Sequence, residues 1–172
     1  MKRTIGCVIF AAAAIQLCAC TQNKPQSSCN YVGVAEDCTD AGSNGCTNPE
    51  NAVDSDLSTF GSLSTVAGST FDGNRGTPGA QFPVGSNAGV FVTLPKGFTT
   101  ADVTVSTLMD HAPVETATGS SLAITPTNGD PAADYVGFKK TTQAFNGVQL
   151  AINTSSGTDT LVYEFCGSAV VR

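Results

Sequence analysis

The sequence contains no tryptophan and only one histidine, His111, and both shortages limit its chemistry. A catalytic zinc site needs several converging His or Cys ligands, which a single histidine does not provide. A serine hydrolase of the common α/β type needs a G-x-S-x-G elbow, and the chain contains none. We therefore interpret His111 as a surface-loop residue and expect no catalytic residues. A hydrolase that uses two of the fourteen Asp and Glu stays open, because so many acids always offer some suitably spaced pair.

Positive charge and long apolar runs are also scarce. The chain has eight Lys and Arg against fourteen Asp and Glu, and only Lys139 and Lys140 are adjacent apart from the N-terminal pair. This balance argues against a nucleic-acid partner or an anionic membrane face. The apolar run at residues 5–15 is too short to span a bilayer as a helix.

The N-terminus has the layout of an export signal. Lys2 and Arg3 precede the apolar run, which is followed by Leu17-Cys18-Ala19-Cys20. This tetrapeptide resembles the bacterial lipobox, although Cys18 stands where Ala, Ser or Thr is usual. The resemblance implies cleavage after Ala19 and lipidation of Cys20 with acyl chains such as palmitate. An ordinary signal peptide, cut nearby and leaving Cys20 free, is the alternative.

Lipidation would tether the product to a membrane without spanning it, since two or three acyl chains anchor stably. Thr21, rather than Asp, follows the lipidated cysteine, which by resemblance implies the outer membrane of a cell envelope, if the source has one. We expect a signal peptide at 1–19, a lipidated tether at 20–29 and one domain at 30–172. Removal of residues 1–19 leaves 153 residues, and loss of Lys2 and Arg3 changes the charge from −6 to −8.

Four cysteines remain for the domain after Cys7 and Cys18 leave with the signal and Cys20 takes lipid. An even number in an exported chain indicates two disulfides, for which three pairings are possible. We favour one bridge from the N-terminal segment to Cys166 and one local to 29–46, and a metal site is the alternative. The four residues are Cys29, Cys38, Cys46 and Cys166.

Short segments of alternating apolar and polar residues run through the domain, at 90–94, 103–106 and 148–153. Period two over such lengths predicts strands with one buried face. Further strands are expected at 31–35, 60–64, 122–125, 135–138 and 161–166, separated by turn signals such as Asp72-Gly73-Asn74 and Asn146-Gly147. The Gly-rich stretches 73–76 and 85–89 are interpreted as hairpin loops. The pattern predicts an all-β antiparallel sandwich, or jelly roll, of about eight strands, with a closed barrel as the alternative.

One segment resembles a known motif. Asn51-Ala52-Val53-Asp54-x-Asp56-x-x-Thr59, followed by the aromatic Phe60, is similar to the N-A-[VI]-D-G-[ND]-x-x-T-[WY] segment of discoidin-like, galactose-binding-like jelly-roll domains. Similar sequences follow a Cys in bacterial surface proteins. Ser55 departs from the usual Gly and Phe60 from Trp. The match covers about fourteen residues.

The same segment is a candidate Ca²⁺ site. Asp54, Asp56 and Thr59 place three oxygens within six residues, and backbone carbonyls can complete a hard-cation shell. The resemblance implies that an acidic residue near the last strand contributes, which here is Glu164. The alternative is that Asp54 caps a turn and Asp56 is solvated.

These features predict a non-catalytic binding or adhesion module, displayed by a lipid anchor and stabilised by Ca²⁺, with a glycan or an envelope protein as ligand. Four aromatic residues are candidates for stacking on a sugar ring: Tyr31, Phe71, Phe98 and Tyr135. The absence of tryptophan weakens this carbohydrate-binding hypothesis. The alternative is a structural envelope lipoprotein, or a subunit of a surface assembly, that binds no small ligand.

Overall fold

The computed structural model describes residues 46–75, 80–126, 133–138 and 140–167, and the backbone alone of 30–31 and 35–39. The signal peptide, Cys20, the tether at 20–29 and Cys29 lie outside this part of the chain. Among the described residues, no helix is long and apolar enough to cross a membrane.

Eleven antiparallel strands and two single-turn 3-10 helices make up the described chain. The strands are β1 (Asn30–Tyr31), β2 (Ala35–Thr39), β3 (Gly61–Leu63), β4 (Thr70–Asn74), β5 (Ala88–Thr93), β6 (Val103–Met109), β7 (Ala112–Thr118), β8 (Ala123–Pro126), β9 (Asp134–Phe138), β10 (Gly147–Ile152) and β11 (Thr160–Gly167). The helices are η1 (Pro49–Ala52) and η2 (Gly119–Ser121).

The strands form two sheets. One has the order β1-β11-β5-β9-β8 with β3 also paired to β11, and the other has the order β2-β4-β10-β6-β7. Without β1, β2 and β8, the sheets are β3-β11-β5-β9 and β4-β10-β6-β7, which is the strand arrangement of a jelly roll. The predicted all-β antiparallel sandwich is confirmed. Its eight-strand nucleus matches the expected number, and three peripheral strands bring the total to eleven.

The main core lies between the two sheets. Successive inward residues of β10, namely Val148, Leu150 and Ile152, are buried, as the period-two pattern predicted. Phe71 of β4 meets Phe165 of β11 across the interface, with ring centroids 5.3 Å apart in a T-shaped arrangement. These contacts hold the sheets together and fix which face of β11 points outward.

Two sequence predictions about β4 and β5 were wrong. Asp72-Gly73-Asn74 is not a turn but the end of β4, and Gly89 belongs to β5 rather than to a hairpin loop. A Cβ on Gly73 would lie 2.9 Å from Cβ of Phe165, so glycine here permits close approach of the two sheets. A glycine that serves packing has the same sequence signature as one that serves a turn.

His111 lies where it was expected, at a surface hairpin between β6 and β7. Asp110 and His111 have φ values of 49° and 69°, as a two-residue turn of type I′ requires. Both residues are exposed. The backbone N–H of Asp110 donates to Oδ1 of Asn146 at 2.9 Å, which ties the hairpin to the start of β10.

A second, smaller apolar cluster covers the outer face of the six-stranded sheet. Its buried members are Phe91, Ala133, Tyr135, Tyr163 and Cys166. The sugar-stacking prediction therefore fails for Tyr135, which is buried here, and for Phe71, which is buried in the main core. Phe98 packs partly against the core, and the side chain of Tyr31 lies outside the described part.

Candidate metal centre

The candidate motif forms a closed loop on this outer face. Its base is an isolated bridge, in which the Thr47 N–H donates to the Ser62 carbonyl at 3.0 Å and the Ser62 N–H donates back at 2.9 Å. Between these residues the chain makes η1, whose Ala52 is fully buried in the core. The amide of Asn51 donates to the Phe60 carbonyl at 3.2 Å. The motif is therefore held at both its base and its middle.

Asp54 organises the loop with both of its carboxylate oxygens. Oδ1 accepts the backbone N–H of Asp56 at 2.8 Å, and Oδ2 accepts the Thr59 hydroxyl at 2.7 Å. The first contact is a local side-chain turn of the kind expected for an aspartate that caps a loop. The capping role weighed from the sequence is thus present for Asp54.

Asp56 is buried rather than solvated, with 7% of its surface exposed. Its Oδ1 accepts both the backbone N–H of Ser58 at 2.9 Å and the Ser58 hydroxyl at 2.6 Å. Its backbone carbonyl accepts the Thr59 hydroxyl at 2.9 Å. The expectation that Asp56 is exposed to solvent was wrong, because the loop folds over the sheet instead of projecting from it.

Glu164 reaches the same loop because β11 contains a bulge. The pairing of β11 with β5 shifts between Val162 and Glu164, so that Tyr163 is an extra residue without a cross-strand partner. Glu164 then pairs with Phe91, whose side chain belongs to the outer cluster. Bulges re-aim side chains in this way next to functional sites. In a strand without the bulge, the side chains of Tyr163 and Glu164 would point to opposite faces of the sheet.

The Glu164 carboxylate is fully buried, and among the described residues neither Oε1 nor Oε2 has a hydrogen-bond partner. Burial, with a smaller contribution from the nearby carboxylates of Asp54 and Asp56, raises its pKa to about 8. The backbone N–H of Ser55 lies close enough to lower the pKa in part, but outside hydrogen-bonding geometry. An ionised carboxylate in this position is costly unless a positive charge compensates it.

Ser55 occupies the position where the similar motif has glycine, and its φ is 62°. This left-handed conformation disfavours residues with a Cβ and favours glycine. The conformation turns the backbone between Asp54 and Asp56 and brings the Ser55 N–H towards Glu164. The serine therefore departs from the motif in residue type while the backbone follows the glycine geometry.

Two chemical states can relieve the buried Glu164 carboxyl group: protonation, or coordination of a cation. The nearby carboxylates of Asp54 and Asp56 are the hard oxygen ligands that Ca²⁺ prefers. An orphaned buried carboxylate facing two further carboxylates fits a divalent cation on chemical grounds. Among the described residues, however, no three His, Cys, Asp or Glu side chains already converge in a metal-ready arrangement. The Asp54 oxygens and Oδ1 of Asp56 are engaged in the loop's own hydrogen bonds.

An aromatic pair borders the loop. Phe60 is 40% exposed, and its ring meets that of Tyr163 edge to face at 5.7 Å between centroids. Leu57 packs partly buried against the same cluster. In the sequence, Phe60 stands out only as the aromatic residue that ends the motif. Its exposure could not be foreseen, because it depends on Tyr163 facing outward at the bulge.

Two of the four predicted structural cysteines are described with their side chains. Cys46, just before the loop, and Cys166, at the end of β11, are both disulfide-bonded. Cys38 lies in β2, where only the backbone is described, and Cys29 lies outside the described residues. The pairing expected from the sequence stays a prediction.

No family model matches this chain, and no curated protein matches it significantly.

Proposed function

We propose that this chain is an exported lipoprotein, anchored through Cys20 in the cell envelope, whose jelly roll is a non-catalytic binding and adhesion module stabilised by Ca²⁺. The observation that carries the proposal is the fully buried Glu164 carboxylate, which has no hydrogen-bond partner in the described part of the chain and lies near the carboxylates of Asp54 and Asp56. The lipobox-like Leu17-Cys18-Ala19-Cys20 supports the anchor.

In this proposal Glu164, Asp54 and Asp56 hold the cation, together with carbonyl oxygens of the 54–59 loop. The cation supplies the positive charge that the buried carboxylate lacks and adds no reactive step. It stabilises the loop against the outer face of the sheet. Beside the loop, the half-exposed Phe60 offers an apolar ring to a ligand, for which a glycan is our first expectation.

The structural alternative, a lipoprotein that only packs into a surface assembly, receives less support. β7 is an edge of its sheet, but Pro113 has no N–H to offer and the Val114 carbonyl accepts Gln143 Nε2 at 3.0 Å. The exposed large apolar residues of the described chain are Phe60, Val84 and Ile124. They belong to three different segments of the chain, and only Val84 is more than half exposed.

Thermal unfolding of the mature chain in detergent, with 10 mM Ca²⁺ or with excess chelator, tests the cation. A ligand at one hundred times its dissociation constant adds about 2.7 kcal/mol, which raises Tm by several degrees. We expect this rise in the native chain and in Glu50→Gln, which changes an exposed carboxylate of η1. We expect no rise in Glu164→Gln.

An equal rise in Glu164→Gln would place any Ca²⁺ effect elsewhere and remove the proposed centre. The ligand is then tested with a glycan array, run in Ca²⁺ and in chelator. Binding of defined glycans that weakens in Phe60→Ala supports the carbohydrate hypothesis. If the folded chain binds no glycan on the array, the ligand should be sought among protein partners of the envelope.

A further inference from the structure

We propose that the end of the sandwich at which the chain enters faces the bilayer that holds the lipid on Cys20, and that the turn at residues 83–85 touches this bilayer. The inference rests on the lipid anchor of the proposed function. It adds the orientation of the domain and names a contact surface for lipid, neither of which follows from the anchor alone.

The position of β1 locates the point of entry. Asn30 pairs with Gly167, and Tyr31 with Cys166, in an antiparallel register. Since β11 ends at Gly167, the first described residue of β1, Asn30, lies at that same end. Ala88, at the start of β5, pairs with Gly167 and belongs to it as well. We call this the tether end, and the opposite end, where β11 begins at Thr160, the far end.

Residues 82–85 and 141–145 form a hydrogen-bonded ribbon over the tether end. Phe82 and Phe145 exchange backbone hydrogen bonds of 2.7 and 3.2 Å, and their rings stack with centroids 5.0 Å apart. Beyond them, the Gly85 N–H donates to the Thr141 carbonyl at 2.9 Å. A side chain at Gly167 would overlap the Phe82 ring, so the ribbon lies directly over the end of β11.

The tip of this ribbon is apolar and exposed. Val84 has 62% of its surface exposed, more than any other large apolar residue of the described chain. Pro83 and Gly85 beside it are also exposed. The ribbon's hydrogen bonds keep Val84 from folding back onto the core. A rigid apolar tip flanked by the exposed Lys140 suits the interface of a bilayer, where the side chain is buried and the ammonium stays with headgroups.

The two ends also differ in charge, and the difference again favours contact of the tether end with the bilayer. Among the side chains that the structure describes, two cations and two carboxylates lie at the tether end, and one cation and three carboxylates lie at the far end. These are Arg75, Lys140, Asp110 and Glu115 at the tether end, and Lys96, Asp102, Asp134 and Asp159 at the far end. In a chain of charge −8 after cleavage, the end whose described charges balance is the one that an anionic leaflet repels less.

The length of the tether supports the same orientation. Ten residues from Cys20 to Cys29 reach at most about 35 Å when fully extended, and roughly 18 Å as a flexible coil. The eight residues of β11 span about 26 Å from one end to the other. The far end could meet the bilayer only with the tether nearly straight along the flank of the domain. The tether end meets it with the tether relaxed.

Fluorescence quenching tests the contact. The lipidated full-length mature chain carries Val84→Cys, labelled with an environment-sensitive fluorophore and reconstituted into phosphatidylethanolamine–phosphatidylglycerol vesicles that contain brominated lipid. The matched control is Ala101→Cys, which is equally exposed but lies beside β6 at the far end. Vesicle flotation and the mass of the N-terminal peptide report the anchor independently.

We expect quenching at position 84 to exceed that at position 101 at least threefold. Equal quenching at the two positions, or stronger quenching at 101, with the chain afloat and lipidated, would overturn the orientation and leave the proposed function intact. A chain that neither floats nor carries lipid would overturn the anchor itself, and with it this inference.

Discussion

Glu164 concentrates the unusual physical chemistry of this domain in one residue. Natural proteins rarely bury a carboxylate without a partner, because no hydrogen bond or ion pair then offsets the free-energy cost of desolvating the charge. Within the described residues, the charged groups that act on this side chain are the carboxylates of Asp54 and Asp56. We therefore expect the stability of the domain to depend on pH and, in our proposal, on Ca²⁺.

The pKa of Glu164 gives a pH dependence with a definite sign. Its folded value of about 8 lies above the ordinary 4.5, so the folded chain holds the proton more tightly. Without Ca²⁺, the free energy of unfolding should fall between pH 4.5 and 8, by about 1.4 kcal/mol per pH unit from this group, and level off above. Urea unfolding at four pH values in Ca²⁺-free buffer measures this slope.

Glu164→Gln should remove the slope, since the amide does not titrate, while Glu50→Gln should keep it. Saturating Ca²⁺ should also flatten it, because the bound ion holds the carboxylate ionised throughout. A native slope unchanged in Glu164→Gln would show that another group titrates and that Glu164 is not the source.

The candidate site was partly foreseeable from the sequence. Asp54, Asp56 and Thr59 lie close in the chain, so their juxtaposition depends only on local turn geometry, and the structure brings them into one hydrogen-bonded loop. The approach of Glu164 depends on the bulge at Tyr163, which has no sequence signature of its own. The resemblance suggested that residue, whereas alternation alone would not have assigned its face.

At the scale of elements, β4 shows where the sequence patterns mislead. Thr70 to Asn74 contains Asp, Gly and Asn in a row, which are turn formers, yet it pairs with both β2 and β10. β7 was missed for a different reason: it is an edge strand in which only Ala117 is buried, so no alternation of large apolar residues marks it. The strands with a clear buried face, such as β6 and β10, were predicted correctly.

Gly73 supplies a test of the β4 assignment. Gly73→Ala should destabilise the domain by about 1–3 kcal/mol, because the new Cβ would press on the Phe165 side chain at 2.9 Å in a packed core. Gly157→Ala is the matched control, since a Cβ there meets nothing within 4 Å. Chemical denaturation measures both. A neutral Gly73→Ala would mean that the two sheets are not packed as closely as described.

At the scale of the whole molecule, the two ends of the sandwich have separate roles in our proposal. The tether end lies against the bilayer, so the loops of the far end point away from it. The candidate cation loop lies on the flank, on the outer face of the six-stranded sheet. A ligand that binds beside Phe60 would therefore approach the side of the domain, where the lipid does not compete for the site.

Calorimetric titration of the mature chain with Ca²⁺ in detergent at pH 8, compared with Glu164→Gln and Glu50→Gln, tests the central claim most directly. The account predicts one Ca²⁺ per chain for the native protein and for Glu50→Gln, with a dissociation constant of about 1 mM or tighter, and no binding to Glu164→Gln. Absence of binding to the native chain at 10 mM Ca²⁺, or equal binding to Glu164→Gln, would contradict it.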